Sequence, residues 1–101
     1  MRTNNKFTAL IVDDDENFAT LLRIRLKGWR PNISIDHAEN LDEARDHLSR
    51  FDRQYDLVIL DHNLPDGHGS ELFDLPVLSD STVLAVSADD TPELPGVAIK
   101  A

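Results

Sequence analysis

The 101-residue chain contains no cysteine and only 10 Lys and Arg residues against 19 Asp and Glu, which gives a net charge of −9. Without cysteine, a disulfide framework and a thiolate metal site are excluded, and a reducing compartment such as the cytoplasm is the expected location. Because nucleic-acid binding depends on clusters of Lys and Arg, we expect no direct nucleic-acid partner. The apolar runs are too short for a signal peptide or a membrane span, so no membrane association is expected.

The length fits one domain, residues 1–101, that can bury a core but is near the small end of independently stable chains. Short apolar runs alternate with helical patterns along this domain, which predicts an α/β fold with a parallel sheet. The predicted strands are Ala9–Val12, Ile33–His37, Leu57–Leu60, Thr82–Val86 and Val97–Ile99. Leu57–Leu60 is apolar throughout, as expected of a central strand that is covered on both faces.

Two amphipathic helices are predicted after the first and second strands. The first is capped by Asp14 or Asp15, and the second by Asn40, with Glu43 placed as in a capping box. Apolar residues at helical spacing predict one buried face for each helix. The first face comprises Phe18, Leu21, Leu22, Leu26 and Trp29, and the second comprises Leu41, Ala44, Leu48 and Phe51.

The later connections are short. Helix-compatible sequence runs only over Gly69–Leu75, because Pro76 removes a backbone donor and restricts the residue before it. The link Asp89–Gly96 holds eight residues, whereas a crossover between parallel strands takes about a dozen. The pattern therefore predicts a reduced set of helices, with this last link running nearly extended across the sheet.

Carboxylates follow two of the predicted strands directly. Asp13, Asp14 and Asp15 end the first strand, and Asp61 ends the third. Taken alone, the first group is more often a helix cap and the second a loop carboxylate. In an open parallel sheet, however, ligands sit beyond the carboxyl ends of the strands, so these side chains are expected to meet in one crevice, where their charge calls for a cation.

Four stretches together resemble the receiver domain of two-component response regulators, and the resemblance covers the whole chain. These stretches are Leu10–Glu16, Asp56–Gly69, Val86–Ala88 and Lys100. The resemblance implies a flavodoxin-like (CheY-like) fold, with a five-stranded parallel sheet in the order 2-1-3-4-5. It also implies that Asp61 is the phosphoacceptor of a phosphorylatable switch.

A carboxylate that attacks an anionic phosphoryl group needs a divalent cation, and Mg²⁺ is the natural choice because it prefers oxygen ligands. Asp14, Asp61 and the backbone carbonyl of Asn63 are the expected direct ligands, and Asp13 is expected to act through water. Asp15 is expected to be a helix cap rather than a ligand. Ser87 and Lys100 are expected to contact phosphoryl oxygens.

The chain departs from the family pattern near its last strand. Val97 occupies the position of the usual aromatic and Ala101 that of the usual proline, and the fourth and fifth helices are reduced or missing. A conformational change caused by phosphorylation would therefore have to be transmitted by another route. The sheet face that a fifth helix would cover is expected to bind a second copy of the chain or a partner, through Val97 and Ile99.

Three candidate functions are compared with these features. The first is a phosphoacceptor, not an enzyme, that is served by a histidine kinase or a histidine phosphotransfer protein. The second is a degenerate receiver that works as an interaction or dimerisation module without phosphorylation. An Asp-nucleophile hydrolase is disfavoured, because no second carboxylate stands two residues after Asp61. His62 and His68 are interpreted as solvated side chains and not as zinc ligands.

Overall fold

The computed structural model describes residues 6–50, 54–73, 75–87 and 96–100, and for residues 87 and 96–100 the description is of the backbone. The chain forms a five-stranded sheet, a two-stranded hairpin, two α-helices and two 3₁₀ turns in this part. The sheet strands are β1 (Thr8–Val12), β2 (Ser34–Ala38), β3 (Leu57–Asp61), β6 (Thr82–Ser87) and β7 (Gly96–Lys100). The hairpin is β4 (Asn63–Leu64) with β5 (Gly67–His68), and the helices are α1 (Glu16–Trp29) and α2 (Leu41–Leu48).

The sheet order is β2-β1-β3-β6-β7, which confirms the predicted order 2-1-3-4-5. β1 pairs in parallel with both β2 and β3, and β3 pairs in parallel with β6. The four residues from Leu57 to Leu60 are all buried, as their continuous apolar character predicted. The predicted α/β receiver-like architecture is therefore correct for the first four strands.

The direction of the fifth strand was predicted wrongly. β7 runs antiparallel to β6, with Ser87 opposite Gly96 and Val83 opposite Lys100. Only eight residues, 88–95, separate the two strands. A parallel crossover takes about a dozen residues, whereas a shorter connection suffices when the chain returns beside the strand it has just left. Connection length therefore accounts for the reversal.

The two faces of the sheet are covered unequally. On the face under α2, thirteen apolar residues form a buried cluster, which includes Leu41, Ala44 and Leu48 as predicted. Phe51, the fourth residue of that predicted face, lies outside the described residues. On the face under α1, four apolar residues are buried and six more are only partly buried. The α2 side therefore holds the main core.

Helix α1 begins where predicted but buries less than expected. The Asp15 carboxylate accepts hydrogen bonds from the amides of Asn17 and Phe18 at 2.9 and 3.2 Å, so it caps the helix. Leu21 and Trp29 are 53% and 59% exposed, contrary to the prediction of one buried face. The reason is that no other described α-helix lies beside α1 to cover its flanks. Neither described α-helix is long and apolar enough to cross a membrane.

Trp29 closes α1 at the end remote from Asp15. Its ring meets the Phe7 ring edge-on, with 5.4 Å between ring centroids, and the Arg30 guanidinium carbon lies 4.6 Å from the Phe7 centroid. Fourteen residues form this helix, so at about 1.5 Å per residue its two ends are roughly 20 Å apart. This aromatic contact therefore lies at the opposite end of α1 from the strand-end carboxylates.

Two short 3₁₀ turns, Gly69–Leu72 and Pro76–Leu78, stand where one short helix over Gly69–Leu75 was predicted. Pro76 explains the interruption, because it has no amide hydrogen to continue a helix but fits the first position of a new turn. Leu72 and Leu78 are buried in the core under α2. The connection between β3 and β6 thus closes the core without an α-helix among its described residues.

Candidate functional site

Asp13, Asp14 and Asp61 form an acidic cluster at one edge of the sheet. The register of β1 and β3 pairs Val12 with Leu60, so the residues that follow each strand emerge side by side. One carboxylate oxygen from each of the three side chains lies within 4.8 Å of the others. Oxygen atoms alone line this cluster, which suits a hard divalent cation rather than a soft one.

Asp13 is the buried member of the cluster, with only 7% of its surface exposed. One of its carboxylate oxygens accepts a hydrogen bond from the Asp15 amide at 2.8 Å. Burial raises the pKa of the Asp13 carboxyl to about 6, and the neighbouring charges of Asp61, Asp14 and Asp15 add to the rise against the opposing effect of that amide. Three clustered carboxylates without a counter-ion are thus electrostatically costly.

Asp61 is the last residue of β3 and is half-buried. The amide of Asn63 lies 3.4 Å from one of its carboxylate oxygens, at the start of the β4–β5 hairpin. The hairpin pairs Asn63 with His68, and the Gly69 amide donates to the His62 carbonyl at 2.9 Å. Residues 62–72, which follow Asp61, therefore form an ordered loop (the 62–72 loop) in which His62 and Gly69 are hydrogen-bonded beside Asp61.

Gly69 lies against the backbone of Asp61. A methyl group added at Gly69 would overlap the carbonyl oxygen of Asp61 and would stand 2.9 Å from a side-chain carbon of Leu60. Real side chains do not tolerate such distances without movement of the neighbour. Glycine at this position therefore lets the loop close onto the end of β3.

Two carboxylates that the sequence analysis did not assign fasten this loop to α2. Asp66 accepts hydrogen bonds from the amides of Leu41 and Asp42, at 2.8 and 3.0 Å. Glu71 accepts from the His68 amide at 3.0 Å and pairs with Arg45 at 3.2 Å. These bonds lower the pKa of both carboxyls, chiefly through the Leu41 amide for Asp66 and the His68 amide for Glu71.

Ser87 and Lys100 are placed differently with respect to the cluster. The register pairs Asp61 with Val86, so the backbone of Ser87 lies one residue beyond, at the same edge of the sheet. Lys100 is opposite Val83, three residues back along β6, which is about 10 Å toward the other edge. The backbone of Ser87 therefore lies at the cluster edge and that of Lys100 lies away from it, and the contacts of both side chains with a phosphoryl group stay predictions.

His62 and His68 lie on the same loop with their rings stacked, at a centroid distance of 5.5 Å and an angle of 24°. Both side chains are exposed. Among the described residues, only the three aspartates form a group of metal-ligating side chains within mutual reach. The histidine pair packs beside the loop and is not part of that group.

The parallel sheet, with an acidic cluster where β1 and β3 end, defines a receiver-type α/β domain. A family model described as "Response regulator receiver domain" matches residues 9–101. The chain belongs to this family. The predicted resemblance is confirmed.

Individual relatives agree with this assignment. The transcriptional regulatory protein ResD of Bacillus subtilis (strain 168) is 39% identical over 72 residues, which is 71% of this chain and 28% of that protein. The response regulator MaeR, solved bound to beryllium trifluoride, has a TM-score of 0.73 and 29% identity, covering 84% of this chain and 70% of that one. A response regulator of Burkholderia pseudomallei, solved with a phosphorylated aspartic acid, a calcium ion and citrate, has a TM-score of 0.70 at 23% identity, covering 86% of this chain and 50% of that one. The chain spans less than a third of the length of ResD.

Proposed function

We propose that the chain is a phosphoacceptor receiver and that Asp61 is the residue that becomes phosphorylated. The observation that carries this proposal is the position of Asp61 at the end of β3, with one oxygen within 4.8 Å of oxygens from Asp13 and Asp14. Family membership supports it, because a receiver domain of a response regulator takes a phosphoryl group from a histidine kinase. The phosphorylated aspartic acid in the Burkholderia pseudomallei structure is consistent with the same chemistry.

In the proposed step, a carboxylate oxygen of Asp61 attacks the phosphorus of a phosphohistidine. A P–O bond forms, the P–N bond breaks, and the bonding pair leaves on the imidazole nitrogen, which takes a proton from solvent. Asp61 is half-buried, so its carboxylate is reachable from the crevice. The product is an acyl phosphate held between the edge of the sheet and the 62–72 loop.

The same residues fit Mg²⁺, which would neutralise charge and align the reactants when bound. Asp14, Asp61 and the backbone carbonyl of Asn63 are the proposed direct ligands, with Asp13 acting through water. The raised pKa of Asp13, which comes first from burial and then from the neighbouring carboxylates, fits a site that a cation would stabilise. The calcium ion in the Burkholderia pseudomallei structure belongs to that protein, and for this chain the identity of the cation is part of the proposal.

The proposed partner is a histidine kinase or a histidine phosphotransfer protein, and the proposed location is the cytoplasm, where such kinases present their phosphohistidine. The chain would act as a stoichiometric switch or phosphate relay rather than as an enzyme. We also propose that a second copy of the chain covers the α1 side of β6, where Leu84 and Val86 are only partly buried. Val97 and Ile99 of β7, predicted at this contact, are described by their backbone alone.

Intact-mass measurement after incubation with acetyl phosphate and Mg²⁺ tests the assignment of Asp61. The wild type should gain the mass of one phosphoryl group, and Asp61→Asn should gain none. Asp15→Asn is the matched control, because it removes a carboxylate from the same edge but keeps an oxygen that can cap α1, so it should label normally. Asp14→Ala or omission of Mg²⁺ should slow labelling by more than tenfold. Equal labelling of wild type and Asp61→Asn would contradict the assignment.

One observation favours the second candidate, a receiver that works without phosphorylation. The Lys100 backbone lies about 10 Å from the cluster edge along β6, so it is not at the strand end where the three aspartates lie. An interaction module would need the sheet and helices but not the acceptor. If the wild type gains no phosphoryl group although it folds and binds Mg²⁺, this second candidate is supported over the first.

A further inference from the structure

The N-terminus of α2 is capped from two different places. An α-helix begins with four amides that lack partners within the helix. The Asn40 side chain accepts from one of them, the Glu43 amide, at 2.8 Å, whereas the Ala44 amide makes the first bond within the helix, to the Asn40 carbonyl at 3.0 Å. Two more of these four amides, those of Leu41 and Asp42, donate to the carboxylate of Asp66, more than 20 residues further along the chain. Half of this helix cap therefore belongs to the loop that follows Asp61.

The same loop is in direct contact with the acceptor. The Asn63 amide approaches a carboxylate oxygen of Asp61 at 3.4 Å, and Gly69 packs on the Asp61 carbonyl. Between these two points the chain forms the β4–β5 hairpin, which carries Asp66 at its turn. A displacement of Asn63 toward a group on Asp61 would therefore carry Asp66 with it.

The loop is also attached to β6, but that attachment is less free to change. The His62 amide donates to the Val86 carbonyl at 3.0 Å, within a central strand of the sheet. The Asp66 carboxylate, by contrast, is exposed and holds a helix end, where hydrogen bonds open at low cost. Of the two attachments, the hydrogen bonds between Asp66 and α2 are therefore the ones that break more easily.

We propose that phosphorylation of Asp61 draws the 62–72 loop toward the phosphoryl group and releases Asp66 from the N-terminus of α2, so that α2 is the element that changes state. The inference rests on the proposed function of Asp61. Phosphoryl oxygens offer the Asn63 amide a stronger acceptor than the present contact at 3.4 Å. A hydrogen bond of 2.8 Å is lost when its partners separate by about 1 Å.

This release offers a route for the signal that needs neither Lys100 nor an aromatic residue on the last strand. The pair Arg45–Glu71, with both side chains about half exposed, links the same helix to the same loop and would rearrange together with Asp66. The first turn of α2 would then expose two unpaired amides. By linkage, a cap that is lost on phosphorylation also opposes phosphorylation, so removing it should strengthen binding of a phosphoryl mimic.

Residue-resolved amide hydrogen exchange by NMR tests the proposal, with beryllium trifluoride and Mg²⁺ as the phosphoryl mimic. In the wild type, the mimic should speed exchange at the Leu41 and Asp42 amides by at least tenfold. The Glu43 amide, capped by Asn40, should change much less. In Asp66→Ala, the first two amides should exchange rapidly with and without the mimic.

Asp46→Ala is the matched control, since it removes an exposed carboxylate from the same helix without touching the cap. It should keep the wild-type response, and Asp66→Ala should bind the mimic several-fold more tightly than this control. Asp66→Asn, which keeps one acceptor oxygen, should restore protection of one amide. Unchanged exchange at Leu41 and Asp42 in a wild type that does bind the mimic, and does label at Asp61, would overturn the inference and leave the proposed function standing. A wild type that does neither overturns both.

Discussion

At the scale of single residues, Asp13 shows how the clustered carboxylates affect folding stability. Its carboxyl is buried beside two other carboxylates, and its pKa is raised from 3.8 to about 6. The folded state therefore holds a proton that the unfolded chain releases at lower pH. The stability from this group is fully present below about pH 4 and is lost as pH rises through about 6. At neutral pH and without a cation, the ionised Asp13 therefore lowers the stability of the fold.

Asp13→Asn should remove this pH dependence in metal-free protein. Asparagine keeps the oxygen that accepts from the Asp15 amide but carries no charge. The variant should be more stable than wild type above about pH 7, by on the order of 2 kcal/mol, and equally stable below about pH 4. Urea unfolding at several pH values in a chelator measures the difference. Asp46→Asn, which changes an exposed carboxylate on α2, is the control, and its free energy of unfolding should depend on pH as that of the wild type does. If Asp13→Asn instead differs from the wild type by the same free energy at every pH, the argument is contradicted.

At the scale of structural elements, the loop after β3 depends on a glycine that admits no side chain. In Gly69→Ala, the new methyl would collide with the carbonyl oxygen of Asp61. We expect a loss of about 1–3 kcal/mol in folding free energy, as for other overpacked sites. Because the displaced group belongs to Asp61, the proposed acceptor, labelling by acetyl phosphate should also fall by more than tenfold.

Gly28→Ala provides the control for this prediction. A methyl at Gly28, inside α1, meets nothing within 4 Å, so this variant should gain about 0.5–1 kcal/mol and label as wild type does. Thermal unfolding together with intact-mass labelling separates the two substitutions. Normal labelling in Gly69→Ala would show that the end of β3 can shift without harm to the acceptor.

At the scale of the whole molecule, the uneven cover of the sheet predicts self-association. Leu84 and Val86 lie on the thinly covered face under α1. Burying an apolar patch of several hundred Å² gives several kcal/mol, at about 25 cal/mol per Å², before the cost of association. Light scattering at micromolar concentration should therefore give a dimer mass for the wild type.

Leu84→Ser should shift this equilibrium toward the monomer. Val77→Ser is the control, because Val77 is also apolar and 42% exposed but belongs to the 3₁₀ turn that packs on the other face. Circular dichroism of both variants establishes that they are folded. A monomeric wild type that also fails to bind a hydrophobic dye would mean that the partly buried residues already close this face.

Sequence patterns predicted those features that local chemistry determines. The apolar run before Asp61 predicted a central strand, and the position of Asp15 predicted a helix cap. The direction of β7 could not be predicted in the same way, because Val97-Ala98-Ile99 is equally apolar in either direction. The exposure of Leu21 depends on what packs beside α1, which is a property of the tertiary structure.

The capping role of Asp66 was missed for a related reason. The Pro65-Asp66-Gly67 sequence indicates a turn, and the turn is present between β4 and β5. Helix-capping rules compare residues three or four positions apart, whereas Asp66 and Leu41 are 25 positions apart. Only the path of the chain brings them together, so this part of the site requires the fold to be known.

The position of Trp29, in edge-on contact with Phe7, determines what its fluorescence can report. Trp29 is the one tryptophan in the chain, and it stands about 20 Å from the start of α1, beyond the reach of a cation held by the strand-end aspartates. Its fluorescence should therefore report unfolding while remaining silent when Mg²⁺ binds. A metal titration therefore needs a second reporter, placed nearer to the strand-end aspartates than Trp29 is.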